Sequence, residues 1–294
     1  MIITHVNPDF DAIASVWLLK RFTNLESEEI VFVNTGNPDK ELLEKAVAVV
    51  DTGKVYDPGN LRFDHHHLVD ANMTCAALQV YQWIYSHNPT FYIGSLINLV
   101  FEGDTGRSGA NFSRELGIHA LLSGFKASFK ERNEIATDQL ILDYGFSILD
   151  TLALRLKNQA KAREELAEKV VYKSEDSLVW AIKHGSAGSS FAAFDEGARI
   201  VVFEGEPIQL AEGTTYPIGV MRVGEWQEPR VGELVGEVIN NNTLNVEVLT
   251  ELKSWFCHPG GFFAGRGTAK APVFNPVIID LNELAQLIDK EWIR

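Results

Sequence analysis

Met1–Lys20, MIITHVNPDFDAIASVWLLK, holds the pattern on which the fold turns. Met1–Thr4 is a short apolar run, Asn7-Pro8-Asp9 is a polar turn, and Ala12, Ile13, Val16, Trp17 and Leu19 recur at helical spacing. Asp9 or Asp11 can cap that helix, because a carboxylate at a helix N-terminus accepts backbone N–H groups that lack a partner within the helix. Two further apolar runs of strand length follow, Ile30–Asn34 (IVFVN) and Ala46–Val50 (AVAVV), with Lys40–Lys45 as a helix between them. Continuous apolar strands separated by helices predict βαβ units and a largely parallel sheet.

Beyond this region, Asp57–His67 reads as a loop punctuated by Pro58 and Gly59. Cys75–Tyr85 and Ile93–Phe101 read as helices, the second closed by Glu102-Gly103-Asp104-Thr105-Gly106. A Leu-, Ala-, Lys-, Arg- and Glu-rich stretch from Gln139 to Val170 predicts one long helix, after which the texture changes. Leu178–Lys183, Arg199–Phe203 and Ile218–Val223 read as strands, Gly232–Ile239 as a helix and Trp255–Gly267 as a glycine-dense loop. The expected fold class is therefore α/β. A catalytic domain over 1–160, with a mainly parallel sheet flanked by helices, is followed by a helical linker over 161–174. A smaller α/β domain over 175–294 lies across a cleft.

The chain has 294 residues, 46% hydrophobic and 22% charged, which excludes a wholly disordered or collagen-like protein. With 26 basic against 40 acidic side chains the net charge is -14, a poor match for a protein that reads long duplex DNA. Metal ions can still supply the local positive charge that a nucleotide substrate needs. Two cysteines, Cys75 and Cys257, are too few for a disulfide framework. His5 and Asp9 interrupt any signal-peptide core, and no apolar run approaches the ~18 residues of a membrane span. The expectation is a soluble cytoplasmic protein without a membrane partner.

Acidic and imidazole side chains stand at the ends of the early apolar runs: His5, Asp9 and Asp11 after the first, Asp51 after AVAVV, Asp64-His65-His66-His67 after Arg62-Phe63, and Asp104 at a helix end. In open α/β sheets ligands sit beyond the carboxyl ends of the strands, so the residues that follow the first two strands are expected to converge. Oxygen donors mixed with imidazole suit Mn²⁺ or Mg²⁺ better than a structural Zn²⁺. Each element has a plain alternative: Asn-Pro-Asp is a common turn, a lone Asp a cap, and a His triplet a solvated loop. Their joint occurrence at equivalent positions favours a site.

Taken together, HVNPDFDAIAS (5–15), VVD (49–51), FDHHH (63–67) and GDTG (103–106) resemble, in the same order, the motifs of the DHH phosphoesterase superfamily. DTGKVYDPGNLRFDHH (51–66) and FCHPGGFFAGRG (256–267) are most similar to its Myg-type exonuclease branch. The first motif instead follows the pattern of the RecJ, nanoRNA and pyrophosphatase branches. His258-Pro259-Gly260-Gly261 stands where the usual second domain has Gly-Gly-Gly-His. The resemblance implies two Mn²⁺ ions, with Mg²⁺ as an alternative: His5 and Asp9 on one, Asp11, His65 and Asp104 on the other, and Asp51 bridging. It places His66 beside the substrate phosphate and makes Asp64 a carboxylate that orients an imidazole.

In the C-terminal part, His258, Gly260, Gly261 and Arg266 are the expected substrate contacts, since glycines admit backbone N–H groups to a phosphate and Arg binds it bidentately. The competing reading is a tight turn packed by Phe262 and Phe263. Gly185–Ser190 (GSAGSS) reads as a flexible loop before a phosphate cradle, and Trp83, Trp180, Trp226 and Trp255 as core or interface residues. The expected function is a metal-dependent phosphoesterase acting on short single-stranded oligonucleotides or nucleotide phosphates, in its most specific form a 3′-5′ exonuclease or nanoRNase. An inorganic pyrophosphatase and a non-catalytic nucleotide-binding regulator are the alternatives. A homodimer is compatible with the sequence.

Overall fold

A computed structural model describes residues 1–35, 39–88, 93–107, 116–224, 230–241 and 244–292. Contacts divide the chain into two compact units, Met1–Lys157 and Asn158–Arg294. In the first, β1 (Ile2–His5), β2 (Ile30–Val33), β3 (Ala48–Val50), β4 (Tyr56–Asp57) and β5 (Arg62–Phe63) form one sheet in the order β2-β1-β3-β5-β4. The β2-β1-β3-β5 core is parallel, with Ile2 level with both Ile30 and Ala48, and β4 runs antiparallel along β5. The expected parallel sheet is present, and the segment read as a loop over 57–67 contributes β5 to it.

Strand alternation separates two apolar layers. Ile2, Ala48, Val50 and Phe63 face a core shared with α1 (Phe10–Phe22), α3 (Ala76–His87) and α4 (Gly94–Asp104). Ile3, Val33 and Val49 pack on the other face with Leu42 and Leu43 of α2 (Lys40–Lys45). Every residue of α1 from Phe10 to Leu19 is buried, Asp11 and Ser15 included, so the helix is enclosed on all sides. Asp9 caps it by accepting from the N–H groups of Asp11 and Ala12 at 3.0 and 3.1 Å. Two more helices follow, α5 (Ile118–Glu131) and α6 (Asp138–Lys169), and the boundary between the units falls within α6.

In the second unit, β6 (Val170–Lys173), β7 (Val179–Ile182), β8 (Ile200–Glu204), β11 (Ile218–Arg222), β12 (Phe256–Cys257) and β13 (Phe263–Gly265) form a mixed sheet ordered β12-β13-β11-β8-β7-β6. A separate hairpin joins β9 (Ile208–Leu210) to β10 (Gly213–Thr215). One sheet face packs on α8 (Val231–Asn241) and α10 (Leu281–Trp292), the other on α6 and α7 (Ser189–Asp195). The remaining helix, α9 (Val246–Lys253), is capped by Asn245.

Three local expectations change. The long helix stops at Lys169, and 170–173 continue as a strand on β7, so the segment expected as a helical linker is partly sheet. Trp255–Gly267 holds the β12–β13 hairpin, with Phe256 opposite Gly265 and Cys257 opposite Ala264, and glycine is needed at 265 because a Cβ there would lie 2.9 Å from Gly219 Cα. GSAGSS is ordered by Glu165, whose Oε2 accepts from Ser186 N–H and Oγ–H, and it leads into α7. Trp180 and Trp255 are buried and Trp83 is half-buried, whereas Trp226 lies outside the described residues. No described helix is long and apolar enough to cross a membrane.

Candidate metal centre

The candidate residues of the first unit converge at the carboxyl end of its sheet. His5 ends β1, Asp9 caps α1, Asp11 lies in the first turn of α1, Asp51 follows β3, Asp64, His65 and His66 follow β5, and Asp104 ends α4. Three groups of side chains each bring their ligand atoms within 4.8 Å of one another: His5, Asp9 and Asp51; Asp11, His65 and Asp104; and Asp51, His65 and His66. Asp51 belongs to two of these groups and has a left-handed backbone, φ 53°, a conformation Asp tolerates better than most residues.

Two imidazoles are pinned by the backbone. Nδ1–H of His5 donates to the Val6 carbonyl at 2.8 Å, and Nδ1–H of His65 to the Ala71 carbonyl at 3.0 Å. Each bond fixes the ring and turns Nε2 toward the carboxylates, the arrangement usual for an imidazole that ligates a metal. His65 Nε2 lies 3.6 Å from Asp11 Oδ2, 3.6 Å from Asp104 Oδ2 and 3.8 Å from Asp51 Oδ1. His65 Nε2 and Asp51 Oδ1 are both buried without a hydrogen-bond partner among the described residues. Such atoms normally carry a large desolvation cost, and a cation between them removes it.

The electrostatics report the same shortage of positive charge. Burial pushes the Asp11 carboxyl well up, and the Asp51, Asp104 and Asp9 charges add to it. Burial also raises Asp104, to about 6; Asp9 and Asp51 add to the rise while His65 and His66 partly relieve it. Burial works against a charged His5, yet hydrogen bonds to Asp51 and Val6 and the nearby carboxylates push it up to about 9. Asp64 behaves differently. Its burial is outweighed by bonds from the His66 ring, the His66 N–H and the Lys54 N–H, which hold it at about 2. The Asp64 hydrogen bond in turn raises His66, whose side chain is 54% exposed. Asp64 thus holds the His66 ring and its N–H on one oxygen.

Asp11 has a second duty. Its two oxygens accept from Ala76 and Ala77 N–H at 2.8 and 2.7 Å, so it caps α3 across 65 positions of sequence. The Cys75 residue at that helix start has no capping bond of its own, and burial pushes its thiol up. Cys75, Lys126, Asp138 and His119 also lie against the cluster or its turns. Their partners are distant in sequence, and no local pattern marks them. A hollow of about 810 Å³ beside Leu43, Val49 and Arg62 contains none of the cluster residues. Arg62 there donates to four backbone carbonyls.

The C-terminal candidates form a separate group. The His258 carbonyl accepts from Gly261 N–H at 2.8 Å, and Gly260 N–H donates to His258 Nδ1 at 2.9 Å, closing a tight turn. Gly261 has φ 73°, and a Cβ there would meet Arg230 at 2.6 Å, so glycine is required. Phe262 packs against His258 at a tilt of 42°, with centroids 4.3 Å apart. Arg266 lies just beyond β13, and its Nε is buried without a hydrogen-bond partner among the described residues.

The class these features define is a mixed α/β protein whose clustered carboxylates and imidazoles suit a divalent metal. Residues 1–78 match the model of the MYG1_exonuc family, described as "Uncharacterised protein family (UPF0160)". That segment holds every cluster residue except Asp104. The match covers the first 78 of the 294 residues. No curated protein matches the sequence. Among solved structures, a "pGpG-specific phosphodiesterase - PggH from Vibrio cholrae" is 14% identical, with 90% of this chain and 91% of that chain covered at a TM-score of 0.27. An uncharacterized protein from Helicobacter pylori G27 is 14% identical, with 99% and 96% covered at a TM-score of 0.28. Neither likeness is close enough to carry an argument.

Proposed function

We propose that the chain is a phosphoesterase of the DHH type that hydrolyses short single-stranded oligonucleotides or nucleotide phosphates, as a 3′-5′ exonuclease or nanoRNase, with two Mn²⁺ ions. The observation that carries this reading is the pair of backbone-pinned imidazoles, His5 and His65, turned toward four carboxylates around two buried atoms that lack a partner among the described residues. His5, Asp9 and Asp51 would hold one ion and Asp11, His65 and Asp104 the other, with Asp51 shared. When bound, two such cations clamp the attacking and leaving oxygens of a displacement at phosphorus and lower the pKa of water.

The chain's own residues supply the rest. Asp64 accepts from Nδ1–H of His66 and favours the protonated ring, which leaves Nε2 as the nitrogen free to face a phosphate oxygen. Phe63 and Trp83 pack edge-on at 6.1 Å beneath this segment and fix the strand end that carries it. His258, Gly260, Gly261 and Arg266 are proposed as contacts to the part of the substrate away from the metals, with the Arg266 guanidinium as the cationic partner.

A substrate panel tests the reading: two- to ten-residue RNA and DNA, a 3′-phosphonucleotide, pyrophosphate and a generic phosphodiester, each with Mn²⁺ and with chelator. Hydrolysis of the short oligonucleotides that chelation abolishes is the expected result. Turnover of pyrophosphate alone would make the chain a pyrophosphatase. Absence of turnover on every member would make it a binding protein.

A further inference from the structure

The turn that carries His5 and Asp9 is gripped by side chains 118 to 131 positions away in sequence. Asn7 has a left-handed backbone, φ 52°. Its N–H donates to Asp138 Oδ1 at 2.6 Å, and Lys126 Nζ donates to the carbonyls of Asn7 and Pro8 at 3.3 and 2.8 Å. Asp9, by contrast, has a side chain 55% exposed. Among the described residues its hydrogen bonds run to the N–H groups of its own helix start. The position of its carboxylate therefore follows the position of the turn.

Lys126 shares one face of α5 with His119, two helical turns earlier. His119 packs edge-on to Phe10, with centroids 5.4 Å apart. It also lies so close over Gly103 that a Cβ there would fall 1.8 Å from its Nε2. Gly103 directly precedes Asp104. One end of this helix face thus touches the turn that bears Asp9, and the other end touches the turn that bears Asp104.

We infer that α5 braces the metal centre, and that Lys126, with Asp138, is the positioning residue for its His5–Asp9 half. This rests on reading the cluster as a two-ion site. A divalent ion requires its ligands within roughly 0.5 Å of their working positions, and an Asn-Pro-Asp turn left to water samples several conformations. An ammonium that binds two adjacent carbonyls removes that freedom with charge-assisted bonds. Loss of Lys126 then falls on the ion held by His5, Asp9 and Asp51. The ion held by Asp11, His65 and Asp104 keeps its ligands, because Asp11 is fixed by α3 and His65 by Ala71.

The test titrates the metal-free full chain with Mn²⁺ and reads free Mn²⁺ by electron paramagnetic resonance, for wild type, Lys126→Met, Lys126→Arg, Asp9→Asn and the Asp9→Asn/Lys126→Met double variant. Wild type should bind two ions. Lys126→Met should weaken one of them by roughly 10–100-fold and leave the other unchanged. Asp9→Asn should weaken the same ion, the double variant should be no worse than Asp9→Asn, and Lys126→Arg should recover most of the loss. Wild-type binding of both ions by Lys126→Met, equal weakening of both, or additive loss in the double variant would overturn the brace alone. A wild-type chain that binds no Mn²⁺ would overturn the two-ion reading with it. Should Lys126→Met fail to fold, Asp138→Ala, which frees the Asn7 N–H, is read by the same criteria.

Discussion

Asp51 carries the largest share of the proposed chemistry on one side chain. Its Oδ2 accepts from His5 Nε2 at 3.1 Å, while Oδ1 lies 3.8 Å from His65 Nε2 and 3.6 Å from His66 Nδ1. Asp51→Asn keeps an acceptor for His5 and removes the charge that would join two ions. Turnover should fall by more than the roughly 10–100-fold typical when even an outer partner of a metal ligand is lost. The circular dichroism spectrum of the metal-free protein should not change, since one charge fewer presses on Asp11 and Asp104. Near wild-type turnover at saturating Mn²⁺ would remove Asp51 from the bridge. At this scale the cluster was legible in sequence because each member sits at the end of an apolar run. The double duty of Asp11 as the cap of α3 was not, since its partners Ala76 and Ala77 are distant in the chain and chemically silent.

Among the elements, the crossing of α1 and α6 secures the helix that the metal turn feeds. Trp17 Nε1–H donates to Asp150 Oδ1 at 2.7 Å, and Arg21 donates to both oxygens at 3.0 and 2.8 Å. The Arg21 pair is half exposed and contributes little by itself. Trp17 is buried, so Asp150→Ala should cost about 1–3 kcal/mol by leaving its N–H unpaired. The Arg21 hydrogen bond, with that of Trp17, holds the Asp150 carboxyl below the usual range against partial burial. A depressed folded pKa stabilises above the unfolded value of about 3.9, and that contribution is lost as pH falls through the folded value. Thermal unfolding of wild type and Asp150→Ala should therefore differ most at pH 7, with the gap narrowing as pH falls below about 4. A gap that widens in acid would contradict the assignment. The same crossing needs Gly145, where a Cβ would lie 2.6 Å from Ile13 Cγ2. Gly145→Ala should destabilise by about 1–3 kcal/mol from overpacking, despite the ~1 kcal/mol that alanine gains in helix propensity. The early strands and the long helix were legible because apolar runs and helical spacing are local signals. The β12–β13 hairpin was not: its glycines, which read as loop, are there because neighbouring strands and Arg230 approach too closely for a Cβ.

For the whole molecule, the net charge of -14 bears on which substrates can approach. Each phosphate of a long nucleic acid that meets no cation weakens binding, so catalytic efficiency should fall as oligonucleotide length rises beyond the few residues near the metals. The decline should soften as salt is raised, and processive digestion of long duplex DNA at physiological salt would contradict it. The charge itself is read from composition without any structure. The brace from α5 was invisible at the same stage, because nothing in the sequence of Ile118–Glu131 distinguishes Lys126 from a solvated lysine. The central claim, that one cluster of carboxylates and imidazoles holds two ions sharing Asp51, is tested most directly by anomalous diffraction from crystals grown with Mn²⁺. Two anomalous peaks should appear in the first unit, one against His5 and Asp9, the other against Asp11, His65 and Asp104, with Asp51 touching both. A single peak, or two of which only one touches Asp51, would contradict the account.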